Sequence, residues 1–240
     1  MRLSSYQARP PALLGPLADW VFLLAPVRLV ESRSSQPILV DQRLCFFTPR
    51  RVSAYLYMTL DGFAEFPKYP GSDAFSDDPD PIFAEMWTNR YDSVDTVVFG
   101  RRAYEDHVNF HSLAARKTTD PKFLFDFSRW LERIQKVALS HNLAKTQWKN
   151  SRIMKGDMED VFATPRGEPG KDIIVDGGPS VVQECLQRGL ADDYLMAVWP
   201  VVLGRGKTYW GSMTKQQTLK LLSVKTTQYG EMLLHHETVR

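Results

Sequence analysis

The sequence is poor in the features that most directly announce a chemistry. Two of its 240 residues are cysteines, Cys45 and Cys185. They are too few and too far apart for a disulfide framework or a zinc spacing, which points to a reducing compartment. Basic and acidic residues nearly cancel, 30 against 28, and the net charge of +2 gives no ground for a nucleic-acid or membrane partner. No apolar run reaches the ~18 residues of a membrane span, so a cytoplasmic protein is expected. The glycine signatures are incomplete. Gly206-Lys207-Thr208 resembles the end of a phosphate-binding P-loop, but Val201 stands where that motif needs its first glycine. Gly204-Arg205-Gly206 likewise has Tyr209 in place of the third glycine of a dinucleotide fingerprint. Serine hydrolysis is not expected, because no Gly-x-Ser-x-Gly elbow exists and Ser180, just inside a helix after proline, has no evident base. His107 and His111 are four apart on a helix, but Val108 replaces the glutamate of a zinc hydrolase, so they read as surface histidines and no metal is expected. His235 and His236 are adjacent in a strand and must face opposite sides.

What is present is a set of strands that run directly into glycine turns. Asp172 to Val175 supply a β-branched run, Gly177 and Gly178 permit a tight turn and a close backbone approach, and Pro179 suits the first position of a helix. Val181, Val182, Cys185 and Leu186 give that helix an apolar face. A helix opened by glycines carries free N–H groups and partial positive charge, a natural seat for phosphate or pyrophosphate. A plain strand-to-helix turn would read the same way. Asp95 to Phe99 is a second buried strand, and Gly100-Arg101-Arg102 opens the next helix from its end. The two arginines are either forks for a dianionic phosphate or solvated surface charges.

The rest of the chain frames these turns. Residues 1–50 hold six arginines and no lysine against three acids. They read as a disordered leader, an organelle transit peptide or a packing arm, outside the folded domain 51–240. Arg51 to Met58 reads as a strand, with Asp61-Gly62 as a turn signal. A long acidic loop through Asp73, Asp77, Asp78 and Asp80 follows, and then a short helix from Ile82 to Tyr91. Phe123 to Ile134 reads as a helix, Gln135 to Ser140 and Trp148 to Met154 as strands, and Asp157 to Phe162 as a short helix. At Ser140-His141 the side chains either meet a ligand at the strand's end or cap a turn. Tyr194 to Trp199 is a strand, Pro200 to Trp210 a loop, and the segments 219–226 and 231–239 a terminal hairpin about Tyr229-Gly230. If the strands are neighbours in one sheet, their ends converge on a crevice suited to a phosphorylated dinucleotide.

From Arg51 onward the chain resembles the dihydrofolate reductase-like superfamily. It is similar above all to the reductase domain of the bifunctional riboflavin-biosynthesis deaminase/reductase and its stand-alone relatives. The resemblance rests on six blocks in order: Thr59-Leu-Asp-Gly62, Val98-Phe-Gly-Arg-Arg-Ala-Tyr-Glu105, Leu139-Ser140, Val175-Asp-Gly-Gly178, Leu190-Ala-Asp-Asp193 and Pro200-Val-Val-Leu-Gly-Arg-Gly-Lys207. It implies a three-layer α/β fold, with a mixed, mostly parallel central sheet and a C-terminal antiparallel hairpin. It also implies a homodimer that uses NADPH to reduce a small polar C=N or C=O substrate, of pterin or ribosylaminopyrimidine type. By this resemblance Gly100, Arg101, Arg102, Ser140 and His141 would hold the adenosine 2′-phosphate side. Gly177, Gly178 and the N–H groups that follow Pro179 would hold the pyrophosphate, with Asp176, Pro179 and Ser180 also among the cofactor-binding residues, and Asp61 and Gly62 would border the nicotinamide. Thr59, Asp61, Asp176 and Gly204 would meet the substrate. The chain has no evident counterpart of the active-site carboxylate of dihydrofolate reductase, although Asp73, Asp77, Asp78 and Asp80 lie in the corresponding region. That gap motivates an alternative, a dinucleotide-binding protein that keeps the fold without turnover.

Overall fold

In the computed structural model, residues 50–66, 81–211 and 213–239 are described. The leader, Cys45 and the acidic loop with Asp73, Asp77, Asp78 and Asp80 lie outside them. Eight strands form one sheet: β1 (Val52–Thr59), β2 (Val94–Gly100), β3 (Gln135–Leu139), β4 (Ser151–Met154), β5 (Asp172–Asp176), β6 (Asp193–Trp199), β7 (Leu219–Thr226) and β8 (Met232–Thr238). Their order is β4-β3-β2-β5-β1-β6-β8-β7. The pairs among β1 to β6 are all parallel, whereas β8 runs antiparallel to both β6 and β7. The carboxyl ends of six strands therefore share one edge of the sheet.

Period-two alternation sends each strand's side chains to opposite layers. Tyr55 on β1, Phe99 on β2, Ile174 on β5 and Leu195 on β6 face a core shared with α1 (Pro81–Met86), α2 (Arg101–His111) and α3 (Lys122–Arg133). Leu56, Val98, Val175 and Met196 face the other core, shared with α4 (Met158–Gly167) and α5 (Gly178–Arg188). Burying each such side chain contributes roughly 2 kcal/mol, so continuous apolar runs such as residues 194–199 become inner strands with both faces covered. The expected mixed, mostly parallel α/β fold with its terminal hairpin is what forms.

Several boundaries differ from the sequence reading. The helix expected over 82–91 stops at Met86 and resumes as a 3₁₀ turn at Thr88–Arg90. Trp148 is buried outside the strand, and Asn150 adopts a left-handed φ of 52° just before β4 begins. The short helix expected over 157–162 continues as α4 to Gly167, with Pro165 inside it. In β7 the alternation breaks at Leu221-Leu222, where the register with β8 shifts, and the strand is exposed along nearly its whole length. Lys220 and Lys225 on this edge pair with Glu237 at 2.8 Å and Glu85 at 2.6 Å.

Two buried cations tie elements together. Arg50 donates to the Pro165 carbonyl at 2.9 Å, to the Thr96 hydroxyl at 2.6 Å, and to Asp95 and the Lys171 carbonyl, joining the start of β1 to β2 and β5. Lys136 is fully buried; its Nζ donates to the carbonyls of Leu131 at 2.5 Å and Ile134 at 3.0 Å and lies 4.9 Å over the Trp148 ring. It closes the end of α3, where helix carbonyls lack intrahelical partners.

Candidate active site

The adjacent strands β2 and β5 enter α2 and α5 through turns that only glycines allow. A Cβ on Gly100 would meet the Gly177 carbonyl oxygen well inside 3.0 Å and the Val181 side chain at 3.1 Å, and one on Gly177 would collide with Val181. Gly178 has a φ of +70° and open space on the side where a Cβ would project. The result is two 11-residue helices whose N-termini lie side by side at one sheet edge. Arg101 and Gly178 are thus close neighbours. Arg101 is held by Glu105 at 2.9 and 3.0 Å, whereas Arg102 and Ser180 are exposed. Pro179 occupies the first turn of α5, leaving the amides after it free to point outward. At the end of β3 the Ser140 hydroxyl oxygen accepts from the amides of Asn142 at 3.1 Å and Leu143 at 2.9 Å, the turn-capping alternative. His141 is exposed beside it. The glycine-lined backbone, free helix amides and exposed guanidinium fit a phosphorylated anion.

The turn after β1 is locked to the loop after β6. Thr59 is fully buried; its hydroxyl donates to Asp61 at 2.6 Å and accepts from the Phe63 amide at 3.1 Å. Asp61 also accepts from the amides of Leu203 at 3.0 Å and Gly204 at 2.7 Å. The Thr59 hydroxyl and these amides hold its carboxyl below the usual aspartate range. Phe63 bridges Thr208, Ala64 donates to the Lys207 carbonyl at 2.7 Å, and the Trp210 indole sits where a Gly62 Cβ would lie. Asp61, Gly62 and Gly204 therefore brace two loops against each other above the ends of β1 and β6.

Asp176 and a group of aromatic side chains lie along the same strand ends. Asp176 ends β5 on the same face as Ile174, opposite Phe99 in register. Its carboxylate Oδ2 is 3.4 Å from Nε2 of His107 on α2. Tyr57 on β1 accepts at its hydroxyl from the Trp87 indole at 2.6 Å, and its own amide donates to the Tyr209 hydroxyl at 3.3 Å. Phe66 is 74% exposed and lies 5.5 Å from the Tyr57 ring and 6.3 Å from that of Trp199. Burial raises the Asp176 carboxyl above its ordinary range, and the His107 charge opposes that shift. Burial, and then the Asp176 charge, push the Tyr57 phenol well up.

The histidines of α2 overturn the sequence expectation. His107 and His111 are not surface residues: their rings pack 5.0 Å apart, His107 lies 4.5 Å from Phe99, and His111 lies 5.2 Å from Phe127. Burial, then the charges of His107 and Arg116, push His111 down to about 3. The i, i+3, i+7 stripe of Tyr104, His107 and His111 was the available signal, and Tyr57 follows Tyr55 at strand period. Among the described residues, no group of three or more His, Cys, Asp or Glu side chains could hold a metal ion. Nor is any described helix long and apolar enough to cross a membrane. A cavity of about 680 Å³ lies elsewhere, against α3, lined by Thr88, Tyr91, Leu113, Phe123 and Arg133 among others; none of the strand-end residues borders it.

The sequence model that matches this chain covers residues 50–234 and is that of the RibD C-terminal domain. The chain belongs to the RibD C-terminal domain family. All six blocks on which the resemblance rests lie within the matched span. A relative, the uncharacterized protein YyaP of Bacillus subtilis, is 28% identical over 183 residues, spanning 75% of this chain and 91% of its own. The fold is similar to that of the Thermotoga maritima diaminohydroxyphosphoribosylaminopyrimidine deaminase/5-amino-6-(5-phosphoribosylamino)uracil reductase. That match has a TM-score of 0.54 and 15% identity, and covers 80% of this chain and 57% of that one. It is also similar to Enterococcus faecalis dihydrofolate reductase complexed with NADP(H), with a TM-score of 0.50 and 13% identity over 79% of this chain and 97% of that one.

Proposed function

We propose that this RibD-type domain is an NADPH-dependent reductase that reduces a C=N or C=O bond in a small polar substrate of pterin or ribosylaminopyrimidine type. The observation that carries the reading is the contact of Gly100 with Gly177, which sets two helix N-termini and Arg101–Arg102 on one edge beside Asp176. The uracil reductase activity of the Thermotoga protein and the NADP(H) in the Enterococcus complex support it. A nicotinamide dinucleotide, when bound, supplies the hydride. The chain's own groups bind and orient. Gly178 and the amides after Pro179 receive the pyrophosphate, and Arg101, Arg102, Ser140 and His141 surround the extra phosphate. The loops braced by Thr59, Asp61, Gly62 and Gly204 border the nicotinamide and substrate. Tyr57, Trp199 and Phe66 shield the reacting end from water, and Asp176 faces the substrate.

Titration of the purified protein with NADPH and NADH tests this. NADPH should bind more tightly, and Arg102→Glu should weaken NADPH by roughly 10- to 100-fold while barely changing NADH, the worth of one charge-assisted contact. Equal affinity for the two cofactors would defeat the assignment. The homodimer implied by the resemblance belongs to the same reading, and sedimentation equilibrium gives its mass directly.

A further inference from the structure

Reduction of a C=N or C=O bond consumes a proton as well as a hydride. On α2 the His107 Nδ1 lies 2.9 Å from the Ala103 carbonyl oxygen. A carbonyl can only accept, so Nδ1 carries hydrogen, and the other ring nitrogen turns toward Asp176 at 3.4 Å. Both side chains are about seven-eighths shielded from solvent. Two lone pairs facing each other in such a place repel, so the pair holds a proton: either a carboxyl beside a neutral imidazole, or a carboxylate beside an imidazolium. The ring cannot swing away, because Trp87 and Phe99 flank it and His111 packs behind it.

We propose that Asp176 is the proton donor of the reduction and that His107 is its positioning residue, the two sharing one proton at the carboxyl end of β5. This rests on the reductase reading. A reduced nicotinamide is the two-electron donor, and hydride adds to the substrate carbon. As the C=N or C=O π pair moves onto the heteroatom, the O–H bond of Asp176 breaks and an N–H or O–H bond forms there. The nicotinamide is oxidised and the substrate reduced. The carboxylate left on Asp176 is stabilised by His107, and water restores the proton. The assignment fits the location: Asp176 lies beside the glycine turn of α5, on the face walled by Tyr57 and Trp199. The groups that face the pair are few. From β1 come the Tyr57 and Tyr55 phenols, from the loop after β6 the Tyr209 phenol, and from α2 itself His111. Their phenols, held neutral by burial, leave the shared proton to the carboxyl and the imidazole.

The test begins with the full chain free of cofactor. The ring nitrogens of His107 are followed by ¹⁵N–¹H correlation across pH 4 to 9 in the wild type and in Asp176→Asn. With the carboxylate replaced by a neutral amide that cannot share the proton, uptake of hydrogen at Nε2 should require a lower pH. A midpoint unmoved by Asp176→Asn overturns the shared proton. If that variant does not fold, the wild type alone decides: Nδ1 should carry hydrogen throughout, and the opposite tautomer overturns the geometry. Turnover is then read against pH. His107→Gln should displace the alkaline limb of kcat while leaving the NADPH dissociation constant within about threefold, and an unchanged limb overturns the positioning role. Wild-type protein that does not bind NADPH defeats the reductase reading instead, and the nitrogen titration still reports on the pair.

Discussion

Replacing Gly100 by alanine tests the close approach on which the anion site depends. At φ −69° and ψ 161° the backbone suits any residue, so alanine meets no conformational penalty and slightly restricts the unfolded chain. The cost is steric. The added methyl would fall well inside 3.0 Å of the Gly177 carbonyl oxygen, where ordinary carbon–oxygen contact is about 3.3 Å or more. That oxygen belongs to backbone just ahead of α5 and cannot rotate aside, so the start of α5 must shift. Overpacking of this kind costs about 1 to 3 kcal/mol. At about 2 kcal/mol, a domain of this size loses roughly 4 to 8 °C in Tm. The same displacement separates the two helix N-termini and should weaken NADPH at least tenfold, or about 1.4 kcal/mol. Scanning calorimetry and cofactor titration read both effects. Gly167→Ala is the internal control: its Cβ would meet nothing within 4 Å, and it lies at the end of α4, so it should be neutral or stabilising by up to ~1 kcal/mol. Gly100→Ala melting with the wild type, or no lower than Gly167→Ala, would refute the reasoning.

Asp61→Asn should release the loop after β6, seen as faster hydrogen exchange at the Leu203 and Gly204 amides; unchanged protection would show that the brace is held by other contacts. Because its carboxyl is held low in the folded protein, the brace contributes fully at neutral pH and is lost as pH falls through and below the ordinary aspartate range. Burial pushes Lys136 down to about 8 from 10.5, so between those values the unfolded chain binds the extra proton and stability rises with pH. Urea unfolding at pH 7.5 and 9.5 should show a gain of about 2 kcal/mol that Lys136→Met abolishes, and an equal slope in both proteins would contradict it.

Much of the scaffold was legible in one dimension. The β-branched run 172–175, the glycines at 100, 177 and 178 and the proline at 179 each constrain their own backbone, and those constraints hold whatever surrounds them. The ends of α2 and α5 fell where these residues required. The site was less legible. Arg101 and Arg102 announce a charge but not its partner, and the structure spends Arg101 on Glu105. Ser140 could read as a ligand group or as a turn cap and Thr59 was expected to meet the substrate, and both hydroxyls serve local turns. The histidines of α2 were misread because i, i+4 spacing says that two side chains share a face without saying whether that face looks inward. Tyr57 meets Trp87, and Phe66 lies against both Tyr57 and Trp199, only because β1 lies beside β6 and the chain after α1 packs across them.

The sequence by itself determined the alternation of strands and helices, the parallel sheet that such alternation demands, and the strand ends at which glycine would bring backbone close to backbone. These follow from short-range sterics and hydrophobic period, which every window of the chain carries within itself. Only the tertiary structure decided that Gly100 rests on Gly177, that Asp61 closes onto a loop 142 residues away, and that His107 turns its free nitrogen to Asp176. Such contacts depend on strand order and on burial, and burial is what turns a carboxylate and an imidazole into a pair sharing one proton.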